Sequence, residues 1–237
     1  MPPAPERELI VGGLSRLSSV DWPGELAATV FCQGCPWDCA YCHNPHLLAV
    51  KPAPDAEVLP WHAIAAFLAS RAGLLDGVVF SGGEPLVHAA LPDAVREVQA
   101  LGLRVALHTN GVSPSRLAEV LPLLDWVGFD AKAPQSRYDE VTRVAGSSGR
   151  AAESLRLLVE SGIAHEVRTT VHPDLQSEAD LLELASELHD VGVQRWVLQP
   201  FRSDGAREGQ LSAAPTPLSL ETVAALAAVF PAVELRD

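Results

Sequence analysis

The sequence predicts an α/β protein, a partial (β/α)6 barrel of parallel strands with its site at the C-terminal ends of the strands. Three observations predict it. Short apolar runs of strand length alternate with longer segments of helical period, the order that builds a parallel sheet with helices outside it. Right-handed crossovers curl six such units into an open barrel. Polar residues fall at the C-terminal end of each run, where barrels of this kind carry their sites. All four cysteines lie between positions 32 and 42, directly after the first barrel strand.

The elements follow in order. Residues 1–8 are Pro-rich and charged and read as loose, and residues 9–14 read as a short strand. Ser18-Ser19-Val20-Asp21-Trp22-Pro23-Gly24 is a turn-rich segment. Residues 26–31 form an apolar run, read as a buried strand. A helix is expected over 61–72 and a strand over 77–81. Pro92 at a first helical position and Gly102 just past the end bound a second helix. A strand follows over 103–108. Ser113-Pro114 opens a helix that runs to about 121. Residues 126–130 read as a strand, a helix starts near 152 and stops at Gly162, and 164–171 is a strand. Ser177-x-x-Asp180 resembles a capping box with Asp for Glu. Behind it Leu181, Leu184, Ala185 and Leu188 share one helical face, and Gly192 ends the helix. A strand over 193–198, a helix over 219–229 and a last strand over 232–235 complete the chain. No linker is long enough to divide residues 1–237, so a single domain is expected.

Composition excludes several classes. The net charge of −13 argues against a nucleic-acid surface, which needs Lys and Arg for phosphate. No run of about eighteen apolar residues exists for a membrane span. The N-terminus carries no apolar signal core. The expected location is the cytoplasm, where thiols stay reduced and clustered cysteines bind metal or do chemistry.

The cysteines are Cys32, Cys35, Cys39 and Cys42. Zinc ribbons separate two Cys-x-x-Cys knuckles by about fifteen to twenty residues, and here the two pairs are too close. The ferredoxin order Cys-x2-Cys-x2-Cys-x3-Cys-Pro is not met either. Cys35-x3-Cys39-x2-Cys42 remains: three thiolates for four irons, with one iron left open to a ligand. Cys32, on the strand side, reads as a small buried residue.

Cys-x3-Cys-x2-Cys with Tyr41 before its last cysteine resembles the signature of the radical S-adenosylmethionine superfamily. The tail Tyr41-Cys42-His43-Asn44-Pro45 resembles the small glycyl-radical-enzyme activases, those of anaerobic ribonucleotide reductase and of pyruvate formate-lyase. The resemblance covers about residues 9–202, with 203–237 as a C-terminal extension. It implies two cofactors, a 4Fe-4S cluster on Cys35, Cys39 and Cys42, and S-adenosylmethionine. It implies that the reduced cluster cleaves S-adenosylmethionine to methionine and a deoxyadenosyl radical, which takes a hydrogen atom from a glycine of the partner.

The strand ends agree with it. Ser81-Gly82-Gly83-Glu84-Pro85 resembles the segment that holds the amino group of the methionine moiety, with glycines for close backbone approach. On that reading Gly83→Val blocks cofactor binding and leaves the cluster. Thr109 and Asn110 end the next strand, Thr170 lies late on another, and Gln199 ends the sixth; all are expected at the cofactor. Asp130 and Lys132 alternate onto one face and fit either a strand-end ion pair or the activase Asp-x-Lys contact. Arg168 fits a pair with Glu166 or, by the resemblance, a fork for the methionine carboxylate.

Two positions depart from the formate-lyase activases, which have Asp where His108 stands and His where Arg202 stands. Both departures favour the reductase activases. The implied partners are a glycyl radical enzyme, namely anaerobic ribonucleotide reductase, and an electron donor such as flavodoxin or ferredoxin. The rivals are a radical enzyme acting on a small molecule, as in 7-carboxy-7-deazaguanine synthesis, an activator of another glycyl radical enzyme, and a non-catalytic electron-transfer module.

Overall fold

The computed structural model describes residues 9–52, 58–207, 209–211 and 218–236. The reading of residues 1–8 falls outside them. The chain forms an eight-stranded sheet whose strands lie side by side in sequence order. These are β1 (Val11–Ser18), β2 (Ala27–Cys32), β3 (Gly77–Gly82), β4 (Arg104–Thr109), β5 (Trp126–Asp130), β6 (His165–Val171), β7 (Trp196–Pro200) and β8 (Val233–Leu235). From β2 to β8 every neighbouring pair is parallel. The expected six strands are β2 to β7. β8 extends that parallel run at one edge, and β1 closes the other edge antiparallel to β2. This is the partial barrel.

The connecting helices are α1 (Trp61–Ala69), α2 (Leu91–Ala100), α3 (Pro114–Val120), α4 (Gln135–Thr142), α5 (Ser147–Ser161), α6 (Glu178–Val191) and α7 (Leu220–Val229). Two differ from expectation. α4 was not anticipated, because its sequence QSRYDEVT buries only Tyr138, Val141 and Thr142 and shows little apolar periodicity. α5 starts at Ser147 rather than near 152. Asp139 fixes that start by accepting hydrogen bonds from the Gly146 and Ser148 amides at 2.6 and 2.8 Å. The box at α6 is present in full: the Ser177 hydroxyl accepts from the Asp180 amide, and the Asp180 carboxylate accepts from the Ser177 amide.

The two faces of the sheet differ. The outer face meets the helices in one apolar core that includes Val30, Phe80, Leu107, Val127, Leu158 and Trp196. The inner face of β2–β5 holds a smaller apolar plug of Trp22, Ala27, Val79, Ala106 and Trp126, with the two indoles stacked 6.2 Å apart. Trp22 comes from the turn-rich segment before β2. It needs the space at Gly77, where a Cβ would stand 2.7 Å from its ring. The inner face of β6–β8 is ionic instead. Glu166 is 1% exposed, accepts two hydrogen bonds from Arg236 at 2.9 Å each, and lies 3.5 Å from Arg195, which also pairs with Glu234.

Candidate functional site

A cavity of about 730 Å³ opens at the C-terminal ends of the strands. The loop after β2 supplies Cys35, Trp37, Cys39, Tyr41, Cys42 and His43 to its wall. β3 supplies Ser81 and Gly82, with Gly83 just beyond; His108 and Thr109 on β4 and Asn110 after it follow. Asp130 and Lys132 come from the end of β5, Arg168 and Thr170 from β6, and Gln199 and Pro200 from β7. Residues far apart in sequence meet here because parallel strands all end on one side.

The three candidate thiols differ from the fourth. Cys39 is buried, Cys35 and Cys42 are part-exposed, and all three line the cavity. Cys32 is fully buried in the outer core and does not. Burial pushes the Cys35 thiol up to about 12, the Glu84 carboxylate adding to it. Burial also raises Cys39, against the pull of the Lys132 ammonium. Such thiols give up their protons to a metal cation rather than to the solvent at neutral pH. Among the described residues, no three His, Cys, Asp or Glu side chains gather closely enough for one metal ion. From one rim of the cavity three thiolates can ligate a multi-iron cluster. A spare donor stands beside them: the Trp37 indole N–H is buried without a hydrogen-bond partner. Asn110 Nδ2 also points to Cys35 Sγ, at 3.7 Å. The residues present therefore fit a cluster.

The opposite wall is charged. Arg168 Nε donates to Asp130 Oδ1 at 3.0 Å, and Nη2 lies 2.9 Å from the same oxygen. The expected alternative pair with Glu166 is not made, since Arg236 and Arg195 take that carboxylate. Gly128 makes room for the guanidinium; a Cβ there would stand 2.9 Å from Arg168 Cζ. Burial opposes the charge on Asp130, but Arg168 and Lys132 outweigh it and hold the carboxyl below its ordinary value. Lys132 Nζ lies 3.9 Å from Asp130 and 5.3 Å over the Tyr41 ring. Burial works against its charge too, yet Tyr41, Cys39 and Asp130 keep the ammonium well above its usual range.

His108 is a neutral member of this wall. Its Nε2 lies 2.7 Å from the Asp21 carbonyl and 3.1 Å from Arg168 Nη1, and its Nδ1 faces the Ser81 hydroxyl at 3.3 Å. Burial, with the adjacent Arg168, lowers its pKa to about 4.

Two expected site residues stand behind the wall rather than on it. Glu84 and Pro85 do not line the cavity. Glu84 is fully buried; it accepts from the Leu86 amide at 3.0 Å, the Thr109 hydroxyl at 2.8 Å and the Asn110 amide at 2.8 Å. It ties the end of β3 to the end of β4. The glycines before it are also explained within the chain. A Cβ on Gly83 would lie 2.4 Å from the Gly34 carbonyl oxygen, and one on Gly82, where φ is +107°, would lie 2.5 Å from the Cys32 nitrogen. Their close approach is to the cysteine loop. Glu84 belongs to the segment expected at the cofactor, and the structure turns its carboxylate inward, where three donors converge on it.

Glu84→Gln is expected to lower stability by about 2 kcal/mol, because its NH2 must face a donor on one side or the other. The pH response gives a second check. Burial pushes the Glu84 carboxyl up to about 7 despite its three hydrogen bonds. The folded state thus keeps a proton that the unfolded chain loses near 4.5. The stability from this group is present below pH 4.5 and is lost as pH rises to about 7. Denaturant melts across that window should show this decline in the wild type and not in Glu84→Gln.

Sequence reasoning missed three charged residues of the wall, Asp21, Asp204 and Arg236. Asp21 is held by the Thr29 hydroxyl at 2.7 Å. Arg236 reaches the cavity only because β8 pairs with β7 in parallel, and no local motif announces it.

Residues 29–190 match the model of the Radical SAM superfamily, and the chain belongs to that superfamily. It is a radical S-adenosylmethionine enzyme, of a superfamily that works with a 4Fe-4S cluster and S-adenosylmethionine. A protein of Methanocaldococcus jannaschii, named as a candidate glycyl-radical enzyme activating enzyme, is 26% identical over 216 residues, 88% of this chain and 86% of its own length. The pyruvate formate-lyase-activating enzyme of Clostridium pasteurianum is 28% identical over 207 residues, 83% of this chain and 85% of its own. Among solved structures, Streptococcus suis SuiB bound to S-adenosylmethionine aligns with a TM-score of 0.63 at 14% identity, over 86% of this chain and 48% of that one. That likeness is one of fold. Among the described residues no helix is long and apolar enough to cross a membrane.

Proposed function

We propose that this chain is a single-domain glycyl-radical-enzyme activase whose partner is an anaerobic ribonucleotide reductase, with an electron donor such as flavodoxin or ferredoxin. The observation that carries the reading is the placement of Cys35, Cys39 and Cys42 on one rim of a cavity whose other wall is the Asp130, Lys132 and Arg168 cluster. Relatives named as activases, matched over most of both chains, support it.

In this reading Cys35, Cys39 and Cys42 would hold the cluster, and S-adenosylmethionine would bind beside it. A reduced cluster held there would supply the electron that breaks the sulfonium carbon–sulfur bond. The chain's own residues hold the cofactor still. The backbone at Gly82 and Gly83 offers carbonyls to the ammonium of the methionine moiety. Arg168, steadied by Asp130, presents a guanidinium to its carboxylate. Tyr41, Thr109, Asn110, Thr170 and Gln199 complete the wall, and Lys132 offsets the negative charge of a thiolate-ligated cluster. Glu84 and Pro85 keep the Gly82–Gly83 backbone in place from behind.

A glycine suits the partner because it has no side chain to keep its α-hydrogen from the reacting atom, and reacting atoms must approach to about 3–3.5 Å. Mixing the loaded protein with a candidate reductase, S-adenosylmethionine and reductant, without oxygen, should give a glycyl-radical doublet by electron paramagnetic resonance. An alanine at the partner's glycine should remove it. Cofactor cleavage with no radical on any reductase, together with turnover of a purine-like small molecule, would overturn the assignment.

A further inference from the structure

The cysteine loop is fastened from outside by a segment no motif covers. Residues 201–207 and 209–211 lie across it. Asp38, next to Cys39, pairs with Arg207 at 2.5 Å and with Arg143 at 3.8 Å, and its amide donates to the Thr142 carbonyl at 3.0 Å. Arg143 in turn donates to the Gln210 side chain at 2.8 Å. His43, next to Cys42, contacts the Arg202 carbonyl through Nε2 at 2.8 Å and stacks on Phe201 at 5.4 Å. Ala206 and Leu211 pack on the apolar group formed by Trp37, Cys39, Tyr41 and Phe201. Arg143 is the one non-glycine residue with positive φ among those described, at 57°, a conformation that surrounding contacts must hold.

We propose that this segment is a strap that keeps the cluster in the loop, with Arg207 and Arg143 as positioning residues that act through Asp38. Two candidate ligands, Cys39 and Cys42, each have as a neighbour a residue the strap holds. If Asp38 is freed, the loop between Cys35 and Cys39 gains freedom, and the thiolates lose the preorganisation that retains iron. The side chains of Arg207 and Asp38 are 25% and 52% exposed, so the global fold does not depend on them.

This inference rests on the reading that Cys35, Cys39 and Cys42 hold the cluster. Wild-type protein that takes up no iron would overturn that reading and the strap with it, whereas iron uptake with unchanged release in the variants would overturn the strap alone. The test is iron release from anaerobically reconstituted protein to a ferrous chelator, followed by absorbance. Arg207→Glu and Arg207→Gln are expected to release iron faster, by roughly five-fold, the factor of one exposed ion pair at the upper end of its usual worth. Arg207→Lys should stay near the wild-type rate. Arg156→Ala, which breaks the remote Arg156–Glu160 pair, is the control and should not change it. The thermal midpoints of all four variants should match wild type. Release at the wild-type rate from both Arg207→Glu and Arg207→Gln would overturn the strap, and so would equal acceleration in Arg156→Ala.

Discussion

Alanine at Cys35, Cys39 or Cys42 is expected to abolish iron uptake, whereas Cys32→Ala keeps it. Anaerobic reconstitution of the wild type should give about four irons per chain with matching sulfide, as in cysteine-held clusters. The difference follows from position. Three thiols ring the cavity, while Cys32 Sγ lies in the apolar core on the outer side of β2, where burial raises its pKa and keeps it a thiol. Cys32→Ala should therefore cost about 1 kcal/mol in stability, a small core truncation, with full iron content. Stoichiometric zinc with no iron would sink the assignment, as would loss of iron in Cys32→Ala alone.

Gly83→Val is expected to cost the protein its cysteine loop. The added carbons would enter the Gly34 backbone, and the Leu47 carbonyl stands 3.0 Å away on the same side. Backbone cannot move aside as a flexible side chain can, so the loop must shift. Iron uptake should fall by an order of magnitude or more, with destabilisation of about 3 kcal/mol or above. This reverses the expectation from sequence, which had the variant lose the cofactor and keep the cluster. Iron content and thermal melting decide between them: a variant with full iron and no S-adenosylmethionine binding would restore the earlier reading.

Much of the architecture was legible because it is written in local pattern. Apolar runs followed by polar strand ends gave β2 to β7 and most of the cavity wall, and Ser177 with Asp180 marked the start of α6. What escaped depends on partners distant in sequence. Glu84 reads as part of a cofactor segment next to two glycines; only the folded chain shows Leu86, Thr109 and Asn110 converging on its carboxylate. α4 is held by Tyr138 against Trp37 in the cysteine loop, at 5.7 Å, more than by its own periodicity. Arg236 belongs to the cavity through strand register, which no stretch of sequence states on its own.

The interior of the barrel has a dry half and a wettable half. Water reaching the inner face of β2–β5 would have to strip cover from Trp22 and Trp126, an apolar loss of about 25 cal/mol for each Å² exposed. Water reaching β6–β8 meets Glu166, Arg195, Glu234 and Arg236, groups that hydrate readily once parted. Breathing of this barrel is therefore expected to have a direction: amide hydrogens of the late strands should exchange before those of the early strands, which the stacked indoles hold together with the cysteine loop that follows β2.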